Sequence, residues 1–114
     1  MAFDSNAPPG QPWRSPRVAF DRGELSLILS LYGRMVAAGI WRDYAIDHLA
    51  EAAVFSIFRR TSESPLYRIE KRPALARRQG AWSVVAVGGL ILKRGHDLRG
   101  VLEVLDRPRL ATVA

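Results

Sequence analysis

Residues 54–94 constrain this chain more than any other stretch. They alternate apolar runs of strand length with short polar turns: VFSIFRR, TSESP, LYRIEK, RPALARRQG, AWSVVAV, GG and LILKR. A period of two with turn residues between the runs excludes one long helix and predicts antiparallel strands. The same stretch carries the chain's charge imbalance. It holds nine Lys/Arg against two Glu, and the rest of the chain holds eight Lys/Arg against nine Asp/Glu. The net charge of +6 therefore originates in the residues that must also build the sheet.

The runs resolve into elements. Residues 54–60 form a strand with Phe55, Ile57 and Arg59 on one side and Val54, Ser56 and Phe58 on the other. Residues 61–65 form a turn, and residues 66–71 alternate again until Pro73 stops them. Residues 74–79 suit one short helical turn closed by Gly80. Residues 81–87 are almost continuously apolar, as in a strand buried on both faces. Gly88-Gly89 is a two-residue hairpin signal. Residues 90–93 return as the last strand, which Gly95 ends. The sheet core is expected from Phe55, Ile57, Tyr67, Ile69 and Val85.

Helices flank this region. Asp21-Arg-Gly-Glu24 places carboxylates at N-cap and N3, a capping-box pattern, with Phe20 and Leu25 at staple positions. Leu25, Ile28, Leu29, Tyr32, Met35 and Val36 recur at helical spacing, so a helix is expected over 21–38 with Gly39 beyond its end. Gly33 inside it suggests close approach of a strand. Asp97 caps a second helix, in which Leu98, Val101, Leu102 and Leu105 form the stripe. Between the first helix and residue 54 the pattern is ambiguous. Trp41, Ala45, Leu49 and Ala52 fit a helix, whereas 43–48 fits a strand. A strand is favoured because the Phe-rich run beyond Ala53 needs an antiparallel partner. An edge strand there also offers a pairing surface to a second copy. The fold class is α+β: helix, four to five short antiparallel strands, and a helix packed on the sheet.

One domain is expected over 18–106. Residues 1–17, with four prolines, form a disordered tail in which Trp13 either docks on the domain or serves as a linear contact; 107–114 form a second tail. An apolar content of 48% suits a globular fold, and the absence of cysteine leaves no disulfide or thiolate metal site and fits a reducing compartment. The N-terminus lacks a charged region followed by an apolar core, and no apolar run approaches the roughly 20 residues of a membrane span, so a cytoplasmic protein is expected.

The strings WRDYAID (41–47), FRRTSESPLYRIEKRP (58–73), LARRQG (75–80) and LKRGHDL (92–98) resemble a bacterial family of small proteins classed as domain of unknown function 2794. The resemblance spans 18–106. It implies no substrate, cofactor or catalytic residue, so nothing is carried over to positions of this chain.

The candidate chemistry is therefore read from the residues themselves. Arg59, Arg60, Arg68, Lys71, Arg72, Arg77, Arg78, Lys93 and Arg94 fall at strand ends and turns and form the candidate anion- or partner-binding set. The plain alternative is a solvated basic surface. Phe55, Phe58, Tyr67 and Trp82 would stack on bases if they faced outward, but they occupy good core positions, and no nucleic-acid motif is present. Arg59, Arg60, Arg68 and Glu70 on neighbouring strands fit a salt-bridge ladder better than a ligand clamp. His48 and His96, joined by Asp43, would support acid–base work only if the fold brought them together. Basic turns could also meet anionic lipid, but neither helix has a basic face with aromatic anchors. No catalytic residue, metal or cofactor is expected. The sequence favours a binding or adaptor module for an anionic partner, an acidic protein or alternatively RNA or DNA.

Overall fold

The structure is a computed structural model, and it describes residues 17–60 and 64–106. The expected tails at 1–17 and 107–114 lie outside the described residues except for Arg17, which donates to the His48 carbonyl at 3.3 Å; Trp13 and most of the 61–65 turn lie outside them too. Helix α1 (Arg22–Ala37) leads into strands β1 (Asp43–His48), β2 (Ala53–Phe58), β3 (Tyr67–Lys71), β4 (Trp82–Ala86) and β5 (Ile91–Gly95), and helix α2 (Leu98–Leu102) follows. The strands form one five-stranded antiparallel meander in chain order. Residues 43–48 are thus a strand. The 49–52 turn closes with Leu49 N–H donating to the Ala52 carbonyl at 2.8 Å.

Helix α1 begins where its capping box places it. The Asp21 carboxylate accepts from Glu24 N–H at 2.8 Å, and Glu24 Oε1 accepts from Asp21 N–H at 2.9 Å, satisfying two free donors reciprocally. Phe20, in front of the cap, stacks on Trp82 with ring centroids 6.1 Å apart. The buried stripe is Ile28, Leu31 and Met35, rotated from the expected one, and Val36 is exposed. The cause is α2, which lies beside α1 and buries its Leu31 side. Gly33 has open space around it, so it accommodates no strand.

Both helices pack on one face of the sheet. The core joins Ile28, Leu31 and Met35 of α1 and Leu98, Val101 and Leu102 of α2 to Phe55, Ile57, Ile69, Trp82 and Val84. Each of those aromatic and β-branched side chains removes roughly 1.5–3 kcal/mol of apolar surface from water. Val85 is also buried, but on the opposite face from Val84, because successive side chains on a strand alternate. The expected core therefore needs Trp82 and Val84 in place of Val85.

Two turns differ in detail from expectation. Between β4 and β5 the loop is Val87–Gly89, closed by Ala86 N–H donating to the Leu90 carbonyl at 2.7 Å. Gly88 and Gly89 both hold positive φ, 81° and 86°, which suits glycine. A register shift at Val84/Val85 leaves Leu92 without a partner, a bulge that the two-residue hairpin did not foresee. Gly95 is the last residue of β5, still paired with Trp82, so the strand ends at it. Among the described residues no helix is long and apolar enough to cross a membrane.

Candidate functional site

The sheet's second face carries no helix among the described residues, and three of the nine basic candidates, Arg68, Arg72 and Arg94, gather there. Glu70 lies at its centre, between Arg68 and Arg72 two residues away on either side, so all three point the same way. Arg68 Nε donates to Glu70 Oε2 at 3.2 Å and Arg72 Nε donates to Oε1 at 3.1 Å. The carboxylate is buried, whereas the two arginine side chains are 39% and 38% exposed. The network is real, but its membership differs from expectation. Arg59 and Arg60 lie past the end of β2, and Arg72 completes the pair of arginines on Glu70.

Next to Glu70 the sheet continues in a polar row. Ser83 on β4 pairs with Glu70 on one side and with Arg94 of β5 on the other. Ser83 is 1% exposed. Its Oγ and the Nη1 of Arg94 are buried and meet no hydrogen-bond partner among the described residues. A buried donor or acceptor left unmade costs roughly 1–3 kcal/mol, and more when it is charged. This pair of orphans has no counterpart in the sequence pattern. A serine within an apolar run was the only available signal.

The structure disperses the remaining candidates. Lys71 faces the helices: its Nζ meets Glu24 Oε1 at 2.6 Å, donates to the Ala19 carbonyl at 2.8 Å and stands 5.8 Å from the Trp82 ring centre. Lys93 pairs with the core residue Val84 and so shares the helix side, where it is exposed at the sheet edge. Arg59 and Arg60 are exposed at one end of the sheet. Arg77 and Arg78 are exposed at the other, in the turn after the 3-10 segment Pro73–Leu75. That turn closes as expected, with Gly80 N–H donating to the Leu75 carbonyl at 2.9 Å and Gly80 at φ 99°. An open cleft of about 430 Å³ lies at this end, walled by Val18, Ala50, Glu51, Arg72, Pro73 and Leu75.

The aromatics are committed to the helix side. Phe55 stacks on Tyr44 at 4.9 Å, Tyr32 meets both Tyr44 and Phe55 edge-on, and Trp41 contacts Tyr67 at 6.4 Å. Desolvation, then the Asp43 carboxylate and then Tyr44, raise the Tyr32 phenol above its ordinary 10.0. Only Phe58 of the four expected stacking residues lies on the helix-free face, where it is half-buried. His48 and His96 are not brought together. His48 ends one edge strand and His96 follows the other, four strand spacings or about 19 Å apart across the sheet. Among the described residues no three His, Asp or Glu side chains gather as a metal site would require.

No curated protein and no solved structure matches the chain. A family model does, over residues 18–102, which include α1, all five strands and α2. The chain belongs to the family described as protein of unknown function DUF2794.

Proposed function

We propose that this domain is a bacterial, cytoplasmic binding or adaptor module that engages an acidic segment of another protein and performs no chemistry of its own. The observation that carries the reading is the charge on the helix-free face. On its β3–β5 half, Arg68, Arg72 and Arg94 surround Glu70, which already holds two of them through their Nε atoms, while the face's other carboxylates, Asp43 and Asp47, lie on the far edge strand β1. A carboxylate-rich segment laid on this face would meet guanidinium groups pre-set for forked hydrogen bonds. Arg77 and Arg78 extend the basic surface past the sheet end.

A nucleic-acid backbone is the second reading. Arg59 and Arg60 at one end and Arg77 and Arg78 at the other bracket the face with exposed cations, as phosphate contacts need. Phe55, Tyr67 and Trp82 are packed on the helix side and leave only the half-buried Phe58 on the open face, and this ranks the reading second.

The test is a backbone NMR titration with an acidic peptide, short RNA and short DNA at low and high salt. The peptide is expected to shift amides of Arg68, Glu70, Arg72 and Arg94. The Arg77→Ala/Arg78→Ala variant is expected to fold normally and bind more weakly. Preferential RNA or DNA binding, falling steeply with salt, would move the assignment to the second reading. If none of the three ligands binds at low salt, both readings fail.

A further inference from the structure

We infer that the helix-free face contains a site for a single oxyanion group, floored by Ser83 and ringed by Arg68, Arg72 and Arg94. It rests on the reading above in one respect: the oxyanion is taken to be a side-chain carboxylate of the acidic segment.

The register builds this ring. Ser83 has Glu70 and Arg94 as its direct lateral neighbours. Arg68 and Arg72, two residues either side of Glu70, are its diagonal neighbours, within reach of long side chains. The extension to Arg72 is carried by Arg72 N–H donating to the Ala81 carbonyl at 2.7 Å. The register therefore sets three arginines at the lateral and diagonal positions around one serine, with Glu70 among them.

Two independent observations mark this ring as a site and not a closed salt bridge. The first is the inventory of partners. Among the described residues Glu70 receives only Nε of Arg68 and Nε of Arg72, so the ring has more donors than its own carboxylate engages. The second is the pair of orphans. Ser83 Oγ, on a residue almost wholly removed from solvent, and Arg94 Nη1 both lack a partner among the described residues. Hydroxyl and guanidinium nitrogens are donors that one oxyanion would satisfy together. Excess positive charge, forked donors and a buried hydroxyl are what a carboxylate or phosphate group seeks. Access is through the arginines themselves, since the side chains of Arg68 and Arg72 are more than a third exposed and can lift from the floor.

The test uses the full chain, with an acidic peptide and inorganic phosphate as probes, read by amide and arginine side-chain NMR. The expected result is that the peptide shifts Ser83 and the Arg94 side chain, and that millimolar phosphate competes for the same signals. Ser83→Ala, which keeps size and fold, is expected to weaken peptide binding about threefold to tenfold. Arg94→Gln is expected to weaken it tenfold or more, and Arg94→Lys to restore only part, because an ammonium lacks the fork. Peptide binding that is unchanged in Ser83→Ala and Arg94→Gln, with shifts confined to Arg59, Arg60, Arg77 and Arg78, would overturn the site and leave the adaptor reading standing. Phosphate shifting Ser83 and Arg94 while the peptide does not bind would support the site and overturn the acidic-segment reading. If neither probe moves Ser83 or Arg94, the site is wrong.

Discussion

The backbone of Gly80 lies directly against that of Gly95. A Cβ on Gly80 would collide with the Gly95 carbonyl group and stand 2.7 Å from the His96 nitrogen. Gly80 also holds φ at 99°, where side chains are strained. Gly80→Ala is therefore expected to lose roughly 3 kcal/mol or more, or to prevent folding. Gly33→Ala, with nothing within 4 Å, is expected to gain about 1 kcal/mol from helix propensity. Urea denaturation of the two variants checks the contrast, and similar effects would contradict it.

Lys71 anchors the start of α1 to the sheet through Glu24 and the Ala19 carbonyl. Lys71→Gln is expected to cost roughly 1–2 kcal/mol, since the pair is charged and mostly shielded. The same variant is expected to leave affinity for an acidic peptide almost unchanged, because Lys71 faces the helices. A large loss of affinity without loss of stability would reverse this assignment.

Glu70 separates two arginines that would otherwise repel. Glu70→Ala is expected to destabilise by roughly 1–2 kcal/mol, a figure kept low because both arginines remain partly in water. It also raises the positive charge of the face, so affinity for an acidic peptide is expected to rise. Calorimetry of folding and of binding on one variant reads both effects, and their opposite signs are the signature.

Tyr32 ties stability to alkaline pH. Its folded value is raised above 10.0, so the native state holds the phenolic proton more tightly than the unfolded chain. Above pH 10 the unfolded state binds fewer protons than the native state, and stability falls as pH rises. The fall begins near the ordinary value and ends once pH passes the raised one. Tyr32→Phe is expected to remove that part of the slope. Denaturation midpoints between pH 8 and 11.5 measure it, and an identical slope in the variant would count against the assignment.

Much of the fold is legible locally. Asp21 and Glu24 announce the start of α1, since a capping box needs only four residues of chain. Pro73 and Gly80 bracket the turn between β3 and β4 because both act through their own backbone angles. The bulge at Leu92 is less legible, because it depends on how two strands twist against each other and not on the residue itself.

The candidate site divides along the same line. By itself the sequence determined that residues 54–94 would form strands joined by short turns and that their charges would lie at turns and strand ends. Only the tertiary structure decided which charges share a surface. Lys71 and Arg72 are neighbours in the chain, yet one meets α1 and the other meets Glu70. Strand alternation sets them on opposite sides, but it does not say which side the helices will cover. That choice is made by the packing of Ile28, Leu31, Val101 and Leu102 against Phe55, Ile69 and Val84, contacts between residues far apart in sequence. Once those helices bury one face, Arg68, Arg72, Ser83 and Arg94 are left together on the other.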